Sequence, residues 1–147
     1  MKIYFDLAAQ FLNPAISIQA QAKSPQLLQL AKTIDRVVNQ DVLTGIKGEQ
    51  HVRIAMYQVI RFYTQNKNVV CETTEGTYRI RARIYQLRER LPQQDFIAIS
   101  SSEILRIAAI KAFSLTKGGE FAVDLTNGAK AYASRRYIKQ IKEALLS

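Results

Sequence analysis

The stretch DLTNGAKAYASRRYIKQIK, Asp124–Lys142, reads as strand, tight turn, strand and then a basic helix. Val123 and Leu125 alternate with polar neighbours ahead of Asn127-Gly128. That pair suits a two-residue hairpin turn, because both positions take positive φ at low cost. Ala129, Ala131 and Ala133 then alternate with Lys130, Tyr132 and Ser134. Ser134 is a good N-cap, its hydroxyl able to accept from a free N–H of the first helical turn. Ile138, Ile141 and Leu145 follow at helical spacing and make one apolar face. Arg135, Arg136, Lys139 and Lys142 crowd the first turns, where cations oppose the helix dipole. A small domain that accepts this cost has a use for the charge, and the simplest use is something anionic.

Upstream, from Asp41 to Ser134, short runs of Val, Ile, Phe and Tyr are broken by turn residues every eight to twelve positions, the spacing of a mostly β domain. Strands are expected near 43–47, 51–56, 59–64, 69–74, 77–83, 96–100, 110–116, 120–126 and 129–133. Turns are expected at Gln65–Asn68, Thr74–Thr77, Lys117–Glu120 and Thr126–Ala129. In 77–83, Tyr78, Ile80 and Ala82 face one side and Arg79, Arg81 and Arg83 the other. Those arginines either grip phosphates or pair with Glu72 and Glu75 across a hairpin. Two helical turns, Tyr85–Leu91, follow with Ile84, Leu87 and Leu91 inward, ended by Pro92.

The first forty residues have a different texture. Ile3, Phe5 and Leu7 alternate over 2–8, and Ile16, Ile18 and Ala20 alternate after Pro14, so two strands are expected there. Ser24-Pro25 starts a helix. Its stripe of Leu27, Leu30, Ala31, Ile34, Val37 and Val38 runs to about Asn39 and either covers a sheet or meets a partner chain. The reading is α+β but mainly β. A strand-strand-helix extension, 1–41, precedes a domain at 42–147.

Charge separates the same two parts. Residues 1–41 hold four Lys/Arg and three Asp/Glu, while residues 42–147 hold seventeen and nine, within a net charge of +9 over 147 residues. A basic domain behind a near-neutral extension points to nucleic acid or another anionic surface. One cysteine, Cys71, and one histidine, His51, exclude an internal disulfide and a Cys/His zinc site. Cys71 lies in an apolar run and reads as a small buried residue. No signal peptide pattern or membrane span is visible, so a cytoplasmic protein is expected. No Gly-rich phosphate loop, acidic metal cluster or nucleophile near His51 appears. No catalytic residue, metal, cofactor or small-molecule substrate is expected.

The ordered segments YRIRARIYQLRERLP, DFIAISSSEILRIAAIKAF and FAVDLTNGAKAYASRRYIKQIKEAL together resemble the LytTR family of DNA-binding domains. The likeness covers about Leu43–Leu146 and is most specific at the C-terminal segment. It implies an elongated domain of several antiparallel sheets with a short C-terminal helix. It also implies loops that reach into successive major grooves of double-stranded DNA, and control of transcription. The forty residues in front are too few for a receiver domain. The chain is therefore similar to stand-alone members, some of them encoded beside a small membrane protein. The resemblance places DNA contacts in three regions. The first is the loop holding Asn66, Lys67 and Asn68. The second is Arg106, at the place of the family's Asn near the end of its Lys-Ser motif; just before it, Ser100, Ser101 and Ser102 are by their own chemistry candidate phosphate donors. The third is Arg136, with Arg135 beside it; Lys139, one turn on, adds a candidate contact by its charge and position. The chain departs from the family pattern at Ala98, where the pattern has Arg, at Ser101, where it has Lys, and at Arg106, where it has Asn. The last exchange shifts the implied base preference, since Asn suits adenine and Arg suits guanine.

Each candidate also has a plain structural role. Arg135, Arg136 and Lys139 fit a solvated helix face, and turn chemistry alone explains Asn68. Arg106 suits a surface pair with Glu103. Ser100 and Ser101 suit the cap of a short turn beginning near Glu103. Tyr137 reads as core, and Lys47, Lys111 and Lys117 as phosphate contacts of low specificity. Because the family reads paired sites, a homodimer on DNA joined through Leu27–Val38 is expected. An RNA-binding module is a rival, though the chain lacks interleaved aromatic and basic residues on neighbouring strands. A protein-interaction β module using the helix stripe is another.

Overall fold

The computed structural model describes residues 2–11, 15–39 and 42–146, with the backbone alone at 36–39. The elements in chain order are α1 (Pro25–Asn39), β1 (Val42–Lys47), β2 (Gln50–Ala55), β3 (Val59–Gln65), β4 (Asn68–Thr73), β5 (Gly76–Ile80), α2 (Ile84–Arg90), β6 (Phe96–Ser100), β7 (Glu103–Arg106), β8 (Ile110–Leu115), β9 (Phe121–Leu125), β10 (Lys130–Ala133) and α3 (Arg135–Leu146). Single 3₁₀ turns lead into β3 and β8.

Seven strands form one antiparallel sheet in the order β2-β1-β5-β4-β3-β7-β6, and three form a second in the order β10-β9-β8. Side chains alternate between the two faces of β6. Phe96 and Ala98 join Phe62, Cys71, Ile80, Ile104 and the inward residues of α2, namely Ile84, Leu87 and Leu91, in one core. Ile97 and Ile99 point the other way and join Ile60, Leu105, Phe121, Val123, Leu125 and Ile141 in a second core, under the small sheet and α3. The middle of the large sheet is thus covered on both faces. At Gly45 an added Cβ would sit 2.6 Å from the Ile54 side chain and 2.7 Å from Tyr78, so only glycine fits where β1 meets β2 and β5.

Nine expected strands are present, with small shifts at their ends. The tenth, β7, is not among the expected strands. Its adjacent Ile104 and Leu105 are both buried, one in each core. Covered on both faces, β7 shows no alternation, and at four residues with two apolar ones it is too short to stand out as an apolar run the way β6 does. β5 stops at Ile80. Arg81 lies in a bend and Arg83 stands just before α2, so Arg79, Arg81 and Arg83 do not share a strand face. Glu72 pairs with Arg61 instead of with them. The β9–β10 connection also differs from the two-residue turn. Gly128 has positive φ (84°) and Asn127 does not. The Gly128 N–H donates to the Leu125 carbonyl (3.0 Å) and the Leu125 N–H to that of Ala129 (2.9 Å). This is the three-residue hairpin loop in which glycine takes the left-handed position.

The extension departs further from the expectation. Residues 2–8 and 15–20 carry no strand pairing, and Ile3, Phe5 and Leu7 are exposed, as is Lys2 beside them. Pro14, ahead of the second expected strand, lies outside the described residues. Helix α1 forms as expected. Ser24 caps it, its hydroxyl accepting from the Leu27 N–H at 3.2 Å. Leu27, Leu30 and Ile34 are only half-buried, Leu28 is exposed, and none of them belongs to either core. The Val37 and Val38 side chains, and residues 40 and 41 at the expected boundary, lie outside the described residues.

Candidate nucleic-acid interface

Three turns and two helix starts converge where β3, β5 and β6 end. The β3–β4 turn is built on Asn66 (φ 50°) and Lys67 (φ 66°). Positive φ at both central residues matches the twist of a two-residue hairpin, and a lysine there accepts a conformation that side chains disfavour. Asn68 is exposed at the start of β4 and donates from Nδ2 to the Asn66 carbonyl (3.3 Å). Beside it, Ser101 and Ser102 turn β6 into β7. The Thr64 N–H donates to the Ser102 carbonyl at 3.0 Å and ties the two turns together. Ser100 Oγ accepts from the Ser102 N–H at 3.2 Å and stiffens the second turn.

Helix α3 is pinned to the same place. The Ser134 N–H donates to the Ile99 carbonyl (2.9 Å), and the Ser134 carbonyl accepts from Tyr137 (2.9 Å). Ile141 is buried and Ile138 and Leu145 half-buried, so the apolar face points inward as the spacing required. Arg135, Arg136 and Lys139 are exposed on the other side. The Arg135 guanidinium lies close to Gly119 in the β8–β9 turn, next to exposed Lys117. Tyr137 packs against both cores, as read, with the Arg88 guanidinium 5.6 Å over its ring. Arg88 also reaches the Ser100 carbonyl at 3.4 Å.

The structure therefore brings together Lys67, Asn68, Ser100, Ser101, Arg135, Arg136 and Lys139. It does not bring Arg106 to them. Arg106 ends β7, opposite Phe96 at the start of β6, four residues past Ser102, or about 13 Å along the strand. Its guanidinium is half-buried and donates to the Val59 carbonyl. Burial lowers its pKa and the Asp95 carboxylate partly offsets this. Its expected pairing with Glu103 is absent, because Glu103 is held by Arg61.

Sequence reasoning missed the role of Arg61. Nε of Arg61 donates to Glu72 (2.7 Å), while Nη1 donates to Glu103 (2.9 Å) and to the Lys130 carbonyl (3.3 Å). Asn127 donates to the same Glu72. One guanidinium thus joins β3, β4, β7 and the β9–β10 hairpin, and fixes the small sheet over the large one. Burial raises the Glu103 pKa and the Arg61 charge opposes the rise. The signal was the single basic residue inside the apolar run Val59–Tyr63, a place where a charge needs partners.

Elsewhere the chemistry is quiet. Cys71 is fully buried, and burial with the Glu72 charge pushes its thiol up to about 12, so it holds its proton. His51 is exposed on β2. Among the described residues no group of His, Cys, Asp and Glu is placed to hold a metal ion, and no helix is long and apolar enough to cross a membrane.

The family described as LytTr DNA-binding domain matches residues 49–146. An uncharacterised HTH-type transcriptional regulator of Staphylococcus aureus strain MSSA476 is 32% identical over 146 residues, 99% of this chain and 98% of its own length. The counterpart in strain NCTC 8325 / PS 47 is equally similar. Among solved structures, a LytTr DNA-binding domain from Bacillus cereus has the same fold, with a TM-score of 0.69 over 73% of this chain and 98% of that one at 20% identity. The helix-turn-helix label of the relatives does not describe this architecture. Among the described residues no helix directly follows another in the chain, and the converging segments are mostly β turns. Taken with the two-sheet fold and the cations gathered on its turns, these matches show that the chain belongs to the LytTr DNA-binding domain family.

Proposed function

We propose that the chain binds double-stranded DNA in a sequence-specific manner, through the cluster formed by the β3–β4 turn, the β6–β7 turn and the start of α3, and regulates transcription by doing so. The observation that carries this reading is the convergence itself. Lys67, Arg135, Arg136 and Lys139 come from two separate segments, all are exposed, and among the described residues none has a carboxylate partner. Asn68, Ser100 and Ser101 add uncharged polar groups between them. In this reading Arg136 reaches a base edge, and Lys139, on the same helix face, holds phosphate. Arg106 has no part in it, since its guanidinium is engaged inside the fold. The expected cytoplasmic location fits a DNA-bound regulator.

The half-buried stripe Leu27, Leu30 and Ile34 supports a homodimer on DNA, because an apolar face outside both cores is suited to a second copy. Leu30→Asp is then expected to yield monomers in sedimentation with little change in the urea midpoint. Unfolding of the variant would show instead that the helix serves its own domain. For the main reading, duplex DNA from upstream of the chain's own gene is titrated against increasing salt. Six neutralised phosphates give a slope of log K on log salt of roughly −5. A slope near zero contradicts phosphate-led binding.

A further inference from the structure

A groove of about 400 Å³ opens between the β3–β4 turn and the start of α2, lined by Lys67, Arg83, Thr64, Tyr85 and Ser101 around Val69 and Ile84. All its charged and polar side chains are donors: an ammonium, a guanidinium and three hydroxyls. No carboxylate lines it. Among the described residues neither Lys67 nor Arg83 makes an ion pair. The groove is also held in shape. Lys67 sits in a two-residue turn tied by Thr64 to Ser102. Arg83 is fixed just before α2, its N–H donating to Gln86 Oε1 at 3.0 Å, with Ile84 buried beside it. Two cations and three hydroxyls able to donate, at a concave place without a carboxylate, match a ligand rich in acceptors and negative charge. Phosphate oxygens have that character.

We infer that this groove seats one backbone phosphate of the bound DNA, gripped jointly by Lys67 and Arg83, with Tyr85 at its lip. The groove is open, with Lys67, Arg83 and Ser101 exposed and Tyr85 exposed by 60%, so it suits a passing strand better than an enclosed small molecule. Arg83 and Tyr85 thereby join the interface, although the sequence placed Arg83 on a strand face and gave Tyr85 no contact. The inference rests on the DNA-binding reading, and the experiment keeps the two apart.

Duplex affinity is measured by anisotropy between 50 and 200 mM salt for the parent, Arg83→Gln, Lys67→Gln, the double variant and Arg83→Lys, with circular dichroism on each. Each glutamine variant is expected to make the slope of log K on log salt shallower by about 0.9, alike on upstream and random duplex. The double variant is expected to lose about the same 0.9 and not about 1.8, because both side chains serve one phosphate. Arg83→Lys keeps the slope. A parent without salt-dependent duplex binding ends the DNA reading and this inference with it. A steep parent slope that Arg83→Gln leaves untouched overturns the groove alone, and so does a double variant that loses two phosphates. Inorganic phosphate is the remaining arm. If it saturates the DNA-free parent at micromolar concentration, and the variants lose that while keeping the DNA slope, the groove is a free-anion site and the inference is wrong.

Discussion

Phe62 and Phe5 stand in short apolar, aromatic stretches that both read as strand, VIRFY and KIYFDL, yet Phe62 is 0% exposed and Phe5 86%. Phe62 lies on β3, paired on one side with β4 and on the other with β7, and its ring packs 6.0 Å from that of Phe96. Phe5 lies in a segment with no paired edge. Alternation states which side chains would share a face, but it does not supply the neighbouring strand that satisfies the backbone. The β domain contains its own edges. The segment 2–11 does not, and its apolar residues Ile3, Phe5, Leu7 and Phe11 remain exposed.

The largest test of this contrast is a pair of truncations. Phe62→Ala is expected to destabilise the chain by about 3–5 kcal/mol, as deletion of a buried aromatic leaves a cavity. Phe5→Ala is expected to change stability by less than about 0.5 kcal/mol. Urea melts of both, at a protein concentration low enough to keep the chain monomeric, make the comparison. Equal losses would mean that the extension packs on the domain.

Next in size is Arg61→Met. It leaves Glu72 and Glu103 partly buried without their cation, and about 3 kcal/mol of stability should be lost at neutral pH. Lowering the pH restores part of it, because protonation removes the unpaired charge. A variant as stable as the parent at pH 7 would show that Arg61 does not hold the two sheets together.

A smaller effect concerns Glu103 in the parent chain. Its folded pKa is raised, so the folded state binds this proton more tightly than the unfolded state. The stabilisation from that proton is complete below the ordinary glutamate value of about 4.3 and is lost as pH rises through the higher folded value. Glu103→Gln should flatten this part of the profile. Thermal melts every half unit from pH 4 to pH 7 report it, and an unchanged profile assigns the slope to other groups.

Much of the β domain was legible in the sequence because its strands are covered unevenly. Where one face is wet, as on β5 and β9, alternation marks the strand and its inward side. The strand that escaped, β7, is the one with Ile104 and Leu105 buried on opposite faces. The site was legible where it is local. Asn66-Lys67 marks a turn, and Ser134-Arg135-Arg136 marks a helix start with charge on its outer side. The joins were not legible, because they depend on register. The tie from Thr64 to Ser102 and the reach of Arg61 across four strands follow from which strands are neighbours. The same cause moved Arg106 away from the cluster. Four residues past a turn place a side chain near it in a loop, but about 13 Å away along a strand.

The central claim is that the start of α3 reads sequence from the turn cluster. It is tested most directly by Arg136→Ala, measured on the upstream duplex and on random duplex at one fixed salt concentration. Arg136 is exposed, so circular dichroism should match the parent. Loss of a bidentate base contact is expected to remove about 1–3 kcal/mol of discrimination, roughly 5- to 150-fold in the ratio of the two affinities. Lys139→Ala should lower both affinities alike. An Arg136→Ala protein that keeps the parent's ratio, or loses affinity equally on both duplexes, would contradict the assignment of base reading to this helix.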